Sequence, residues 1–265
     1  MNIATNTLKK LIAQWVRAWL PFTVVTKGGW LGFSTIQDAV DYCGGRGGGL
    51  VFIGPGTYNE AVDIADDYVN IVGCGMGVTK ISPEGAAQYG VKLSGDYCSA
   101  SFMQIDTEYG AGAGTPDYGS ACQAEADYGM FFRILNTTSD YHGFDLGSGG
   151  SWQVISHCII PADSHDFYAV AATSPKSIFA NNYFASGGGY NVSIDGVADG
   201  TTMTGNICDG LGATIYGIVI STNCENCVVV GNWVGRFLGT DVWERSGTSL
   251  VLVPDGGGPL NEVGS

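Results

Sequence analysis

Three segments of this chain, "IFANNYF" at 178–184, "MTGNIC" at 203–208 and "VVGNWV" at 229–234, each set an asparagine among apolar residues. Aligned on that feature, His157, Asn182, Asn206 and Asn232 follow one another at 25, 24 and 26 residues. A second column, Leu146, Val170, Ile194, Ile220 and Val242, advances by 24, 24, 26 and 22 residues. A shared interval of this length identifies a solenoid, in which each coil returns to the same lateral position and buries its apolar face against the next. Strands of successive coils stack about 4.8 Å apart, so identical side chains at one turn can hydrogen-bond along a column. Asparagine also tolerates the left-handed backbone that a tight turn requires. Asn182, Asn206 and Asn232 are therefore expected to form a structural ladder, with His157 as an imperfect fourth rung.

Composition agrees with a turn-rich β protein. Of 265 residues, 42 are glycine, 45% are hydrophobic and only 14% are charged, with 11 Lys+Arg against 25 Asp+Glu for a net charge of −14. An acidic surface of this kind repels phosphate backbones, so no nucleic-acid partner is expected. The eight cysteines stand singly except for "CENC" at 224–227. A zinc ribbon needs a second close pair, and the cysteines read as small buried hydrophobes, with a redox or metal role for Cys224 and Cys227 as the alternative. No cofactor or metal is expected.

The amino terminus differs from the rest. In "NIATNTLKKLIAQWVRAWLPF", Leu8, Leu11, Ile12, Trp15, Val16, Trp19 and Leu20 recur at spacings of three and four, with Pro21 as a stop, predicting an amphipathic helix within residues 1–25. Gln14 and Arg17 interrupt the apolar run, which is too short and polar to span a bilayer or to read as a signal peptide. The helix has three readings: a cap on the core, a docking or trimer-forming segment anchored by Trp15 and Trp19, or a membrane-surface segment.

A linker-like "TKGGWLG" leads into "FSTIQDAVDYCGGRGGGLVFIGPGTYNEAVDI". Ser34 or Thr35 can cap a helix that faces Ile36, Ala39 and Val40 inward, "GGRGGG" ends it, "LVFI" is a buried strand and "GPG" is a turn. The order T-I-Q-x-A-V, glycine run, apolar strand, G-x-Y-x-E resembles the opening segment of the pectin-lyase-like family of right-handed parallel β-helices, which includes pectin esterases, pectate lyases, polygalacturonases and phage tailspikes. The resemblance covers about thirty residues and implies an architecture rather than one activity. It implies an all-β, single-stranded right-handed parallel β-helix of about eight or nine coils spanning residues 26–253. The asparagine column resembles the ladder seen inside several members.

Family enzymes place acidic or basic residues on one exposed sheet. Asp145, Asp195, Asp241 and Glu244 lie near equivalent coil positions. Asp195 and Glu244, read as two coils apart at about 9–10 Å, are the candidate acid and base. Trp152, Tyr190 and Trp243 are candidate sugar-stacking residues, whereas Trp233 follows the ladder and is expected to be buried. The polygalacturonase "NTD" run and the pectate-lyase "DH" tract do not occur, "YHGFDLGSG" departs from the G-x-x-D-F-I-F-G strand of pectin esterases, and cationic bases are scarce after Lys92.

Tailspikes and related virion proteins carry a β-helix, commonly as homotrimers, behind an amino-terminal segment that plugs into the particle. This chain resembles that layout, with a docking segment at 1–25, a β-helix, a loop expected to protrude at 107–129, and a Gly/Pro-rich tail at 254–265. The expectation is a homotrimeric virion surface protein of tailspike or decoration type that contacts other virion proteins through residues 1–25 and recognises surface polysaccharide. The alternative is a secreted polysaccharide hydrolase or lyase on the same fold.

Overall fold

The computed structural model describes residues 22–28, 32–84, 89–107, 119–138, 142–147, 149–161, 168–185, 190–210, 216–235, 242–245, 247–252 and 262–263. They form a right-handed parallel β-helix of about eight coils. One coil shows the plan: Val154–Ser156 is strand a, Ile159–Ile160 is strand b and Tyr168–Ala172 is strand c. Strand a of the next coil, Ile178–Ala180, then pairs in parallel with its predecessor. The a and b strands together build a sixteen-stranded sheet, and the c strands a nine-stranded one. In two earlier coils, Ser99–Ile105 and Met130–Leu135, a and b run as one strand around the corner.

Each corner is made by a single residue of left-handed backbone. Phe102, Arg133, His157, Asn181, Gly205 and Gly231 (φ 53 to 65°) turn a into b. Tyr68, Tyr97, Tyr128, Trp152, Lys176, Gly200 and Asn226 (φ 57 to 70°) turn c into a. Every described non-glycine residue with positive φ lies at one of these two corners, so the strained backbone belongs to the coil repeat and marks no special site. Between corners, alternate residues point inward as the pleat requires. Phe144, Val170, Val192, Ile218 and Val242 form one buried column on the c sheet, and Phe131, Ile155, Phe179, Met203 and Val229 another on the a sheet. Burying each large side chain contributes about 1.5–3 kcal/mol.

One place inside the a–b corner is polar. Asn206 Nδ2 donates to Phe179 O (2.9 Å) and to Asn232 Oδ1 (2.8 Å), while Asn206 Oδ1 accepts from the backbone N–H of Asn182 (3.0 Å) and from its Nδ2 (2.9 Å). Asn182 and Asn232 repeat the pattern, donating to Ile155 O and Met203 O. The rung before Asn182 is Cys158, whose N–H donates to Asn182 Oδ1 (2.9 Å) and whose Sγ takes the amide's place between Ile134 N–H and Phe131 O. His157 instead shares the left-handed corner position with Asn181 and is exposed, so the expected fourth rung is displaced by one residue.

The helix Ile36–Gly44 caps the first coils, burying Ile36, Ala39, Val40 and Cys43. Thr35 is its N-cap and accepts from Asp38 N–H. The Glu60 carboxylate accepts from the N–H groups of Ile36 (2.9 Å) and Gln37 (3.1 Å), filling donors that a helix start leaves open. The Gln37 amide donates to Asp63 O and accepts from Asp63 N–H, both at 2.9 Å. The glutamine of T-I-Q-x-A-V and the glutamate of G-x-Y-x-E are thus two ends of one brace.

Several boundaries differ from expectation. Residues 1–21, with Trp15 and Trp19, lie outside the described residues. Phe22–Val25 is already a strand, paired with Leu50–Ile53, so the solenoid starts before residue 26. Of the loop expected at 107–129, Ser120–Ala124 is a c strand and Tyr128 a corner, because Cys122 and Ala124 supply the inward alternation of a coil; residues 108–118 lie outside the description. Within the tail, Glu262–Val263 adds a strand beside Trp243–Glu244. In the apolar column, Leu146 stacks on Ala172, Ile194 and Ile220, while Val170 and Val242 belong to the parallel column two residues earlier. Unequal turn lengths hid that offset.

Candidate functional site

The c strands carry one row of residues at the positions that alternate with the buried columns. Read through the register, it runs Asp63, Lys92, Gln123, Asp145, Ala171, Ser193, Val219 and Trp243. Its first four members are polar or charged, one per coil. At the start of the same strands lies a second row, Tyr89, Ser120, His142, Tyr168, Tyr190 and Tyr216.

The polar end is internally organised. Lys92 Nζ pairs with Glu125 Oε2 at 2.7 Å and stands 6.0 Å from the Tyr89 ring centroid. Partial burial disfavours the charged form of Lys92, but the hydrogen bond and charge of Glu125, with Asp63 and Tyr89, outweigh it and raise its pKa. Asp63 Oδ1 accepts from Ser94 Oγ at 2.7 Å, and its backbone is the one held by Gln37. Burial, followed by the nearby charge of Glu125, pushes the Asp145 carboxyl up to about 6. Asp145 therefore exchanges its proton near neutral pH, between Gln123 on one side and Ala171 on the other.

The c-to-a corner borders this face. Tyr68, Tyr97 and Tyr128 stack ring on ring, with centroids 5.1 and 4.5 Å apart and planes within 9° of parallel. Lys176 Nζ lies 5.1 Å from the Trp152 ring centroid. The preceding residues form a carboxylate column: Asp67 accepts from Asp96 N–H, Asp96 from Asp127 N–H, and Asp127 from Ser151 N–H and Oγ, all within 2.8–3.0 Å. The stacked tyrosines cover each other's faces, so this corner presents ring edges and hydroxyls. The dipeptide "DY" at 67–68, 96–97 and 127–128 was the sequence signal for it.

The candidate residues distribute unevenly. Tyr190 shares a row with Tyr89, its ring 5.3 Å from that of Tyr216. Trp152 sits on the corner beyond the other end of the c strands. Trp243 takes a position in the outward row, and its side chain lies outside the description. Asp195 follows its c strand, exposed, with Oδ1 accepting from Gly196 N–H at 2.7 Å. The register aligns Glu244 with the buried Ile194 and Ile220, and it is Arg245 that aligns with Asp195. Asp195 and Glu244 therefore hold different register positions, and the Glu244 side chain lies outside the description. Trp233 is 39% exposed rather than buried, because Asn232, not its neighbour, faces inward. Lys92, Gln123 and Glu125 were not singled out from sequence. Among the described residues, no group of His, Cys, Asp or Glu has the arrangement of a metal site.

No family model matches the chain, and no curated protein does. Solved structures do. A pectin methylesterase from Aspergillus niger matches with TM-score 0.63 at 15% identity, over 92% of this chain and 89% of that one. Pectin methylesterase from carrot matches with TM-score 0.63 at 16% identity, over 85% and 78%. A pectin methylesterase in complex with hexasaccharide VII matches with TM-score 0.56 at 13% identity, over 84% and 80%. With coils, corners and ladder in place, the chain has the right-handed parallel β-helix of the pectin-lyase-like fold.

Proposed function

We propose that the protein recognises a surface polysaccharide through the outer face of its c strands, presented from a virion as a tailspike or decoration protein. The observation that carries this reading is the row Asp63–Lys92–Gln123–Asp145 flanked by Tyr89: one hydrogen-bonding side chain per coil, repeated at about 4.8 Å on a rigid sheet. Such a periodic, open row suits a long chain of repeating units better than a small molecule, which favours an enclosed pocket. Neighbours of the same fold are pectin methylesterases, one of them solved with a bound hexasaccharide. The net charge of −14 suits an outward-facing surface, and the amphipathic pattern of residues 8–20 just before the first strand suits attachment.

A second reading, a polysaccharide-acting enzyme, is favoured by Asp145, whose pKa of about 6 suits a general acid or base. One experiment separates them. The full-length protein is incubated with host surface polysaccharide and with pectin, and binding, new reducing ends and released methanol are measured. The expected result is retention of host polysaccharide without product, weakened about tenfold, or roughly 1.4 kcal/mol, by Gln123→Ala or Tyr89→Ala and unchanged by Asp195→Asn. Product formation lost in Asp145→Asn would establish the enzyme instead. Absence of both binding and product would refute the use of this face.

A further inference from the structure

Tyrosine takes the c-to-a corner in three successive coils, and there the rings are both exposed and stacked. Tyr68, Tyr97 and Tyr128 are 55%, 45% and 43% exposed, yet successive ring planes lie only 5° and 9° apart. Centroids 4.5 Å apart put Tyr97 and Tyr128 at the near limit for stacked aromatic rings. Their hydroxyls also share a hydrogen bond, so the two rings stack with the same end outward.

The backbone holds this geometry. All three residues have the left-handed conformation of the corner (φ 58 to 61°), and the N–H groups of Asp96 and Asp127 are tied to the carboxylates of Asp67 and Asp96. Tyr190 and Tyr216 offer a comparison within the same chain. Their centroids are 5.3 Å apart, their planes are tilted by 32°, and both residues are half-buried.

Stacking in register sets the ring carbons ortho to one hydroxyl against those of the next ring. A phenol that loses one electron and its proton becomes a phenoxyl radical, whose unpaired spin reaches the ortho and para carbons. The para carbon carries the side chain, so the ortho carbons are free to couple. Two such radicals form one C–C bond, and two ring C–H bonds break as their protons move to the oxygens and restore both phenols. The sum is a loss of two hydrogen atoms, taken up by one molecule of hydrogen peroxide that leaves as two of water. Partners held side by side make the coupling effectively unimolecular.

We propose that Tyr97 and Tyr128 are a site of oxidative cross-linking, joined as dityrosine by a peroxidase-type one-electron oxidant, with Tyr68 and Tyr97 as a second, looser pair. The bond staples two coils across 31 residues of chain, and a cross-link that closes a loop lowers the entropy of the unfolded state. The stapled coils carry the polar row, because Asp63, Lys92 and Gln123 each precede a stacked tyrosine by five residues. The proposal is independent of what that row binds.

The test treats the full-length protein with hydrogen peroxide and a haem peroxidase. Dityrosine is read by its fluorescence, and its position by the masses of peptides cut before aspartate, which separates residues 96–105 from 127–139. The expected product is a monomer in which these two peptides are joined with the loss of two hydrogen atoms, and whose urea midpoint is raised. Phenylalanine keeps the ring and removes the phenol, so the variants separate the chemistry from the fold, which circular dichroism checks. Tyr128→Phe is expected to divert the link to Tyr68 and Tyr97 at lower yield. Tyr97→Phe is expected to abolish linkage at this corner, since Tyr68 and Tyr128 stand two coils apart. Absence of dityrosine, links between copies only, or a Tyr190–Tyr216 link that outweighs Tyr97–Tyr128 would overturn the proposal. So would undiminished dityrosine in Tyr97→Phe, equal linkage in the urea-unfolded chain, or a cross-linked protein no harder to unfold.

Discussion

Asp145 is held where its charge is disfavoured, and that placement has a measurable cost. Its carboxyl, ordinarily near 3.8, is pushed to about 6 by burial and then by Glu125. Between those two values the folded chain keeps a proton that the unfolded chain has released, so stability falls as pH rises from about 4 to about 6 and stays lower above that. Asp145→Asn removes the penalty. It is expected to be more stable than wild type at pH 8 by about 1–3 kcal/mol, with the difference vanishing below pH about 4, as urea midpoints across pH will show. Sequence reasoning grouped Asp145, Asp195, Asp241 and Glu244 near equivalent coil positions and chose Asp195 and Glu244 as the pair, whereas the register sets Asp145 in the row of Asp63, Lys92 and Gln123 and aligns Asp195 with Arg245. A strand reverses its side chains at every residue, so an alignment good to one or two residues locates a coil without deciding a face. The same margin exchanged His157 for Cys158, beside a sequence in which "NN" at 181–182 fills both the corner and the ladder positions.

At the scale of the element, the ladder serves as a second backbone for the corner. Asn206→Ala leaves Phe179 O without its side-chain donor and the Asn182 N–H without its acceptor in a dry interior. Each such group costs about 1–3 kcal/mol, so a loss of about 2–4 kcal/mol is expected in denaturant melts. An equivalent truncation of exposed Asn181 should cost much less, because its corner partner is a backbone bond to Thr204 O. The ladder was legible because its coils vary by only two residues in length. The polar row was not. Asp63, Lys92, Gln123 and Asp145 are separated by 29, 31 and 22 residues, since extra residues between a and b (73–78) lengthen one early coil and extra residues between b and c (106–119) lengthen the next, without moving the strands out of register.

For the whole molecule, the proposed polysaccharide surface is the outer face of the c strands, and attachment is assigned elsewhere. Removing residues 1–21 is therefore expected to leave an intact β-helix that retains its polysaccharide affinity, while incorporation into particles is lost. Incorporation of the truncated chain at wild-type level in a reconstitution assay would return that segment to a simple cap. The fold itself was readable from about thirty residues near the amino terminus, and the reason is mechanical. T-I-Q-x-A-V and G-x-Y-x-E are joined by Glu60 on the helix start and Gln37 on Asp63, contacts that organise the first coils.

That brace also bears on how the chain is made. Gln37 and Asp63 are only 26 residues apart, so the opening turn of the solenoid closes through a short loop at small entropic cost. A ribosome delivers this end first, and a finished turn offers an edge of backbone donors and acceptors onto which the following residues can be laid as they emerge. A chain built this way is suited to casting from one end, each coil a mould for its successor.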